Sequence, residues 1–259
     1  MKKIIITSAL VAAVLSNSCT SLTSECKHIS KKEGMFAIDV SDKKLFENIR
    51  QDITDNLGNF MQKTGMGTIQ ECETFRLSVA PVGSREQLEI ASESIGITQR
   101  NESIRDQEQQ ADPSPLVAML KNHLDAYEKL ANDKEVTSAS TIVNTLLKAI
   151  LQTDIDAEST VMLFTDGVEY NDYINMYRHI PSADEIPEVM SRVIDQEVLN
   201  KFKALQEQGL NPRVIVILKP SQSQGKMNIR SVKSYWMGLF KNLKLTNTVF
   251  ADNLNTVNE

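Results

Sequence analysis

Three cysteines, three histidines and one tryptophan are all that 259 residues contain of those types. His28, His123 and His179 are scattered, so thiol and imidazole are too sparse to assemble a four-ligand structural zinc centre. Basic charge is not in excess either. Twenty-eight Lys and Arg stand against 34 Asp and Glu, for a formal net charge of −6 with the signs well mixed. Without a basic stripe to meet a phosphate backbone, nucleic acid is not an expected partner. Beyond residue 15 no apolar run is long enough to span a bilayer as a helix. A Gly-x-Ser-x-Gly elbow, a P-loop and a His-Glu-x-x-His pair are missing as well, and the expectation is a chain that is not an enzyme.

What is present begins with an export signal. Met1-Lys2-Lys3 is a short basic start, and residues 4–15 are an almost unbroken apolar run of signal-peptide length. Ser16-Asn17-Ser18 puts small residues where a signal peptidase accepts them, and Cys19 follows directly. This arrangement resembles the lipobox of bacterial lipoproteins, with Ser16 in the position usually held by Leu. It implies a signal peptide over residues 1–18 and Cys19 as the lipidated residue; the alternative is plain secretion with Cys19 as a spare thiol. An acylated Cys19 would anchor the protein to the cell-envelope membrane, facing the periplasm or the cell surface. Residues 19–33 are polar and unpatterned, and read as a tether to one domain over residues 34–254. Cys26 and Cys72 each lie shortly before an expected strand, so they either form a disulfide or remain two thiols.

Short apolar runs alternate with longer amphipathic ones along that domain. Strands are expected at residues 35–38, 74–79, 161–164, 214–218 and 248–251, with 88–97 as a hairpin partner of the second. Leu45, Ile49, Ile53, Leu57 and Met61 recur every four residues and mark a helix over 42–61, ended by Gly65 and Gly67. Further helices are expected at 116–130, 141–151, 186–208 and 232–243, where Tyr235, Trp236 and Phe240 sit at core spacing. Residues 100–115 carry no clear pattern. The alternation predicts an α/β doubly wound fold, a mostly parallel central sheet with helices on both faces.

In such sheets ligands bind beyond the carboxyl ends of the strands, where the strand order reverses. The loops there carry Asp39, Ser41, Ser140 and Asp166. Phe-Ala-Ile-Asp-Val-Ser at residues 36–41 resembles the opening of the metal-ion-dependent adhesion site of von Willebrand factor A domains. Val-Met-Leu-Phe-Thr-Asp-Gly at 161–167 is similar to that family's fourth strand, and residues 140–146 resemble its Thr-x-Ile-x-x-x-Leu helix start, with Ser140 in the Thr place. The resemblance implies Asp39, Ser41, Ser140 and Asp166 as ligands of Mg²⁺ or Mn²⁺. It further implies an envelope adhesion module whose protein partner offers an acidic residue to the metal. Oxygen donors of this kind suit a hard divalent cation.

Lys43 stands where the motif has its second Ser. Its ammonium could neutralise Asp39 or Asp166 in place of a cation, which leaves a metal-free scaffold as the alternative. Ser41 and Ser140 could also serve only as helix N-caps. A third reading, a phosphatase-like hydrolase with Asp39 as nucleophile, lacks the second Asp of the haloacid-dehalogenase pair, since Ser41 occupies that place. Tyr170, Tyr173, Tyr177 and Arg178, just after Asp166, are of the types enriched at recognition surfaces.

Overall fold

The computed structural model describes residues 23–63, 69–83, 89–97, 99–101, 112–133, 139–219 and 228–256. Residues 1–18 and Cys19, the expected helix stop at Gly65 and Gly67, and most of 100–115 lie outside the described residues. Six strands form one sheet in the order β4-β3-β2-β6-β7-β8. They are β2 (Ser30–Asp39), β3 (Glu73–Val82), β4 (Ala91–Ile97), β6 (Glu158–Thr165), β7 (Arg213–Leu218) and β8 (Thr248–Ala251). All neighbours are parallel except β3 with β4, which pair antiparallel as the hairpin pattern predicts.

Both faces of this sheet are buried, which is why its central strands read as unbroken apolar runs rather than alternating ones. On one face Phe36, Ile38, Leu77, Val79, Met162 and Phe164 pack with α1 (Lys43–Lys63) and α2 (Ser114–Ala131). On the other, Met35, Ala37, Val161, Leu163, Val214 and Val216 pack with α3 (Ile142–Ile150), α4 (Ile186–Val193), α5 (Gln196–Glu207) and α6 (Ile229–Asn242). Tyr235, Trp236 and Phe240 of α6 are buried, as their spacing predicts. Among the described residues no helix is long and apolar enough to cross a membrane.

Two expectations are corrected, and the open question of the cysteines is answered. The segment read as a tether is partly strand: β1 (Thr23–Glu25) pairs antiparallel with β5 (Gln99–Asn101), and β2 begins at Ser30. Polar residues 30–33 enter the sheet because Lys32 meets Glu73 at 3.0 Å and Glu33 meets Arg76 at 2.6 Å. A disulfide between Cys26 and Cys72 fastens the starts of the parallel neighbours β2 and β3. The helix expected over 186–208 is two helices, broken where Ile194 and Asp195 turn extended. No Gly or Pro marks that break. Asp195 is drawn toward α3 instead, its carboxylate 2.9 Å from Lys148 and its N–H donating to Asn144 Oδ1 at 3.1 Å.

The chain passes from β2 outward to β3 and β4, then returns to the other side of β2 as β6. The order therefore reverses between β2 and β6, and the crevice at their carboxyl ends is where this architecture receives ligands.

Candidate functional site at the strand switch point

Asp39 closes β2 and Thr165 closes β6, side by side at that crevice. Asp39 is fully buried. Its Oδ2 accepts a hydrogen bond from Thr165 Oγ1 at 2.6 Å, and its Oδ1 accepts from the Ser41 N–H at 2.9 Å. Burial raises the Asp39 pKa, opposed by the hydrogen bonds from Ser41 and Thr165. Thr165 Oγ1 also accepts the Gly167 N–H at 2.9 Å, so one hydroxyl ties the first carboxylate to the turn that carries the second. Asp166 is 2% exposed and accepts the Val168 N–H at 2.9 Å.

Two glycines make room for this arrangement. Gly83, just after β3, has φ +84°, and a Cβ there would lie 2.5 Å from Asp39 Oδ1. Gly167, with φ +76°, brings its carbonyl to Trp236 Nε1, which donates to it at 2.9 Å. Both positions exclude a side chain on backbone and on steric grounds together.

Ser140 arrives from the loop before α3. Its backbone and that of Tyr170 form an antiparallel bridge, with N–H to O distances of 2.6 and 3.0 Å, so the loop is stitched to the segment following Asp166. The side chain is buried and Ser140 Oγ has no hydrogen-bond partner among the described residues. A buried hydroxyl left in that state is an exception that calls for an explanation.

Neither serine caps a helix. Asp42 caps α1, its Oδ1 accepting the Leu45 N–H at 2.8 Å. The first amides of α3 are capped by Glu169, a residue the sequence did not single out as functional. Its two carboxylate oxygens accept from Ile142 N at 3.1 Å and Val143 N at 2.6 Å, and the side chain is fully buried. A carboxylate suits the positive end of a helix, yet burial pushes the Glu169 pKa up to about 8, against these two bonds. The buried Tyr235 hydroxyl, without a partner among the described residues, is held well above the usual tyrosine range by burial first and by the charge of Glu169 second.

Lys43 does not face this cluster. As the first residue of α1 its side chain is 60% exposed, with Nζ 4.0 Å from Glu47, so the expected neutralisation of Asp39 or Asp166 by its ammonium is not observed. Tyr170, Tyr173 and Tyr177 are 41%, 66% and 44% exposed, and Arg178 is exposed beside them. The rings of Tyr170 and Tyr177 meet edge to face at 6.1 Å. Among the described residues no three His, Cys, Asp or Glu side chains cluster as a metal-holding group. The donors at the switch point are instead two carboxylates and serine hydroxyls.

No protein-family model matches the sequence, and no curated protein matches it. Among solved structures, the open conformation of the pilus adhesin SpaC from Lactobacillus rhamnosus GG is 12% identical, with a TM-score of 0.44, over 90% of this chain and 29% of that chain. Another form of the same adhesin gives 11% identity and a TM-score of 0.42, over 90% of this chain and 30% of that one. The chain thus spans less than a third of the length of these structures. A likeness this loose decides nothing about the site.

Proposed function

We propose that the protein is a binding module of the von Willebrand factor A type, exported to the bacterial cell envelope and anchored through Cys19. In this reading it recognises a protein partner at the switch point through a divalent cation, and it binds without turning over a substrate. The observation that carries the reading is the Ser140 hydroxyl, buried without a partner among the described residues in a loop stitched to the segment after Asp166. A hydroxyl that none of the described groups satisfies is accounted for if its lone pairs face a cation.

The donor chemistry fits. Asp39, Ser41, Ser140 and Asp166 offer only oxygen, as Mg²⁺ or Mn²⁺ requires, and the one cationic side chain of the motif region, Lys43, points toward Glu47. A bound cation would supply a hard positive centre for an acidic side chain of the partner. Thr165 holds the Asp39 carboxylate in place, and Gly83, lacking a Cβ, lets the chain after β3 pass close to it. Tyr170, Tyr173, Tyr177 and Arg178 form the rim that such a partner would meet. Asp39 does not favour hydrolase chemistry, because a nucleophile must meet its substrate directly and this side chain is fully buried.

Calorimetric titration of Mg²⁺ and Mn²⁺ into the protein, beside an Asp166→Ala variant of unchanged thermal stability, tests the reading. Saturable binding that the variant loses is the expected result. No heat with either ion at millimolar concentration, or equal heat in the variant, would sink it.

A further inference from the structure

Beside the switch point a cleft of about 990 Å³ runs along the outer side of α3. Polar side chains outnumber apolar ones in its lining. Asn144 and Lys148, four residues apart, share one face of α3, with Gln152 just beyond its end. The opposite wall is the 171–173 loop and the junction of α4 and α5. We infer that this cleft binds a neutral, polyhydroxylated ligand: a sugar residue of an oligosaccharide, stacked on Tyr173 and hydrogen-bonded by the amides of Asn144, Gln152 and Asn171.

Charge argues against an anionic ligand, since Glu89, Asp172 and Asp195 line the cleft beside Lys148 and Arg192. The two cations of the wall already have carboxylate partners, Lys148 with Asp195 at 2.9 Å and Arg192 with Glu188 at 2.5 Å. A phosphate or carboxylate ligand would have to displace them. The polar lining argues equally against an apolar ligand, whose site would be walled mainly by hydrophobic and aromatic groups.

The amides are held in fixed orientations. Asn144 donates through Nδ2 to Asp195 Oδ2 at 3.1 Å and accepts at Oδ1 from Asp195 N at 3.1 Å, leaving the second amide proton for a ligand. Asn171 Oδ1 accepts the N–H groups of Tyr173 and Ile174 at 3.0 and 3.2 Å, which sets the turn that presents Tyr173. Asn171 Nδ2 is buried and has no acceptor among the described residues. A buried donor without a partner is costly, and a ligand hydroxyl relieves that cost once the Asn171 amide turns its proton toward the cleft.

Tyr173 supplies the stacking surface. It is the most exposed large hydrophobic or aromatic side chain among the described residues, at 66%, and it lines the cleft while its backbone is fixed by Asn171. The C–H face of a pyranose ring covers such a phenol plane, and its equatorial hydroxyls both donate and accept, matching carboxamides that do the same.

The inference goes beyond the cation-dependent reading and does not rest on it, because none of the cleft's hydrogen-bonding groups belongs to the carboxylate pair. The full chain, labelled and kept in EDTA, is applied to an array of galactose-, mannose- and N-acetylglucosamine-terminated oligosaccharides with sialylated and sulfated ones beside them. Binding to at least one neutral chain is expected, weakened roughly tenfold by Tyr173→Ala and by Gln152→Ala, and kept by Met237→Ala on the distant α6. Both cleft residues are exposed, so unchanged melting temperatures will separate lost contacts from lost fold. Four results would overturn the inference: no neutral sugar bound, charged sugars only, binding that returns only with Mn²⁺, or wild-type binding by Tyr173→Ala. Capture of peptides from a peptide array with no sugar bound would overturn the sugar assignment too.

Discussion

Glu169 makes the stability of this fold depend on pH in an unusual direction. Its carboxyl titrates at about 8 when folded and at 4.5 in the open chain. An acid whose pKa is raised by folding binds more protons in the folded state throughout that window. Stability is therefore full below about pH 4.5 and falls as pH rises, levelling off once pH passes the folded value. At about 1.4 kcal/mol per pH unit, the whole window amounts to about 5 kcal/mol, a third or more of the stability of a typical domain. The Glu169→Gln variant removes the charge but leaves one carbonyl oxygen for two α3 amides, which costs roughly 1–3 kcal/mol wherever the acid would be protonated. The two stability curves should cross: wild type is the more stable protein at pH 5, the Gln variant at pH 8.5. Urea denaturation at half-unit steps from pH 5 to 9, read by far-UV circular dichroism, measures the difference directly. Asp39, whose charge is one of the causes that raise Glu169, is raised in the same direction, so the difference reads Glu169 together with its interaction with Asp39. Parallel curves would refute the reasoning. They would mean that the α3 amides keep Glu169 ionised despite burial, so that helix and hydrogen bonds outweigh desolvation.

Reduction, or Cys26→Ser with Cys72→Ser, opens a loop with a sequence separation of 46 and should lower unfolding stability by about 4 kcal/mol, read as a lower urea midpoint. An unchanged midpoint would show that β1 and β2 hold that end without the bridge. Gly83→Ala meets Asp39 Oδ1 and a positive φ together, so it should destabilise by about 2–4 kcal/mol, whereas Gly209→Ala, at φ +111° in open space, carries the backbone strain alone. Equal melting temperatures for the two would show that Asp39 moves aside at little cost. Trp236→Phe removes the donor to the buried Gly167 carbonyl and should destabilise by about 1–3 kcal/mol in chemical denaturation.

Where a signal is local, it was readable. The runs 161–164 and 214–218 are buried strands because both faces of the sheet are covered, and α1 follows the four-residue spacing of Leu45, Ile49 and Ile53. The places of Asp39 and Asp166 follow from strand ends alone, since parallel strands bring their carboxyl ends to one edge. Elsewhere the deciding partner lies far along the chain. Residues 30–33 look like linker until Glu73 and Arg76 meet them from β3. The break at Ile194 has no turn residue; it follows from Lys148 and Asn144 taking hold of Asp195 across the gap to α3.

The same distinction separates the two halves of the site. Ligand-type residues announce themselves by chemistry, because an Asp that ends a buried run demands a partner. The residues that position them are ordinary in the sequence. Thr165 is one more β-branched residue in a strand until its hydroxyl is seen to bind Asp39 and the Gly167 amide at once. Glu169 stands 27 residues from the amide of Ile142 that it caps, with no pattern linking the two. Yet Glu169 and the Ser140–Tyr170 bridge together fix how the α3 loop meets the segment after β6. The position of Ser140, and with it any cation site, therefore depends on a carboxylate that touches none of the four proposed ligands through a hydrogen bond. Loss of that clamp should loosen the site without removing a single donor, so a search restricted to donor residues would miss the group that holds them in register.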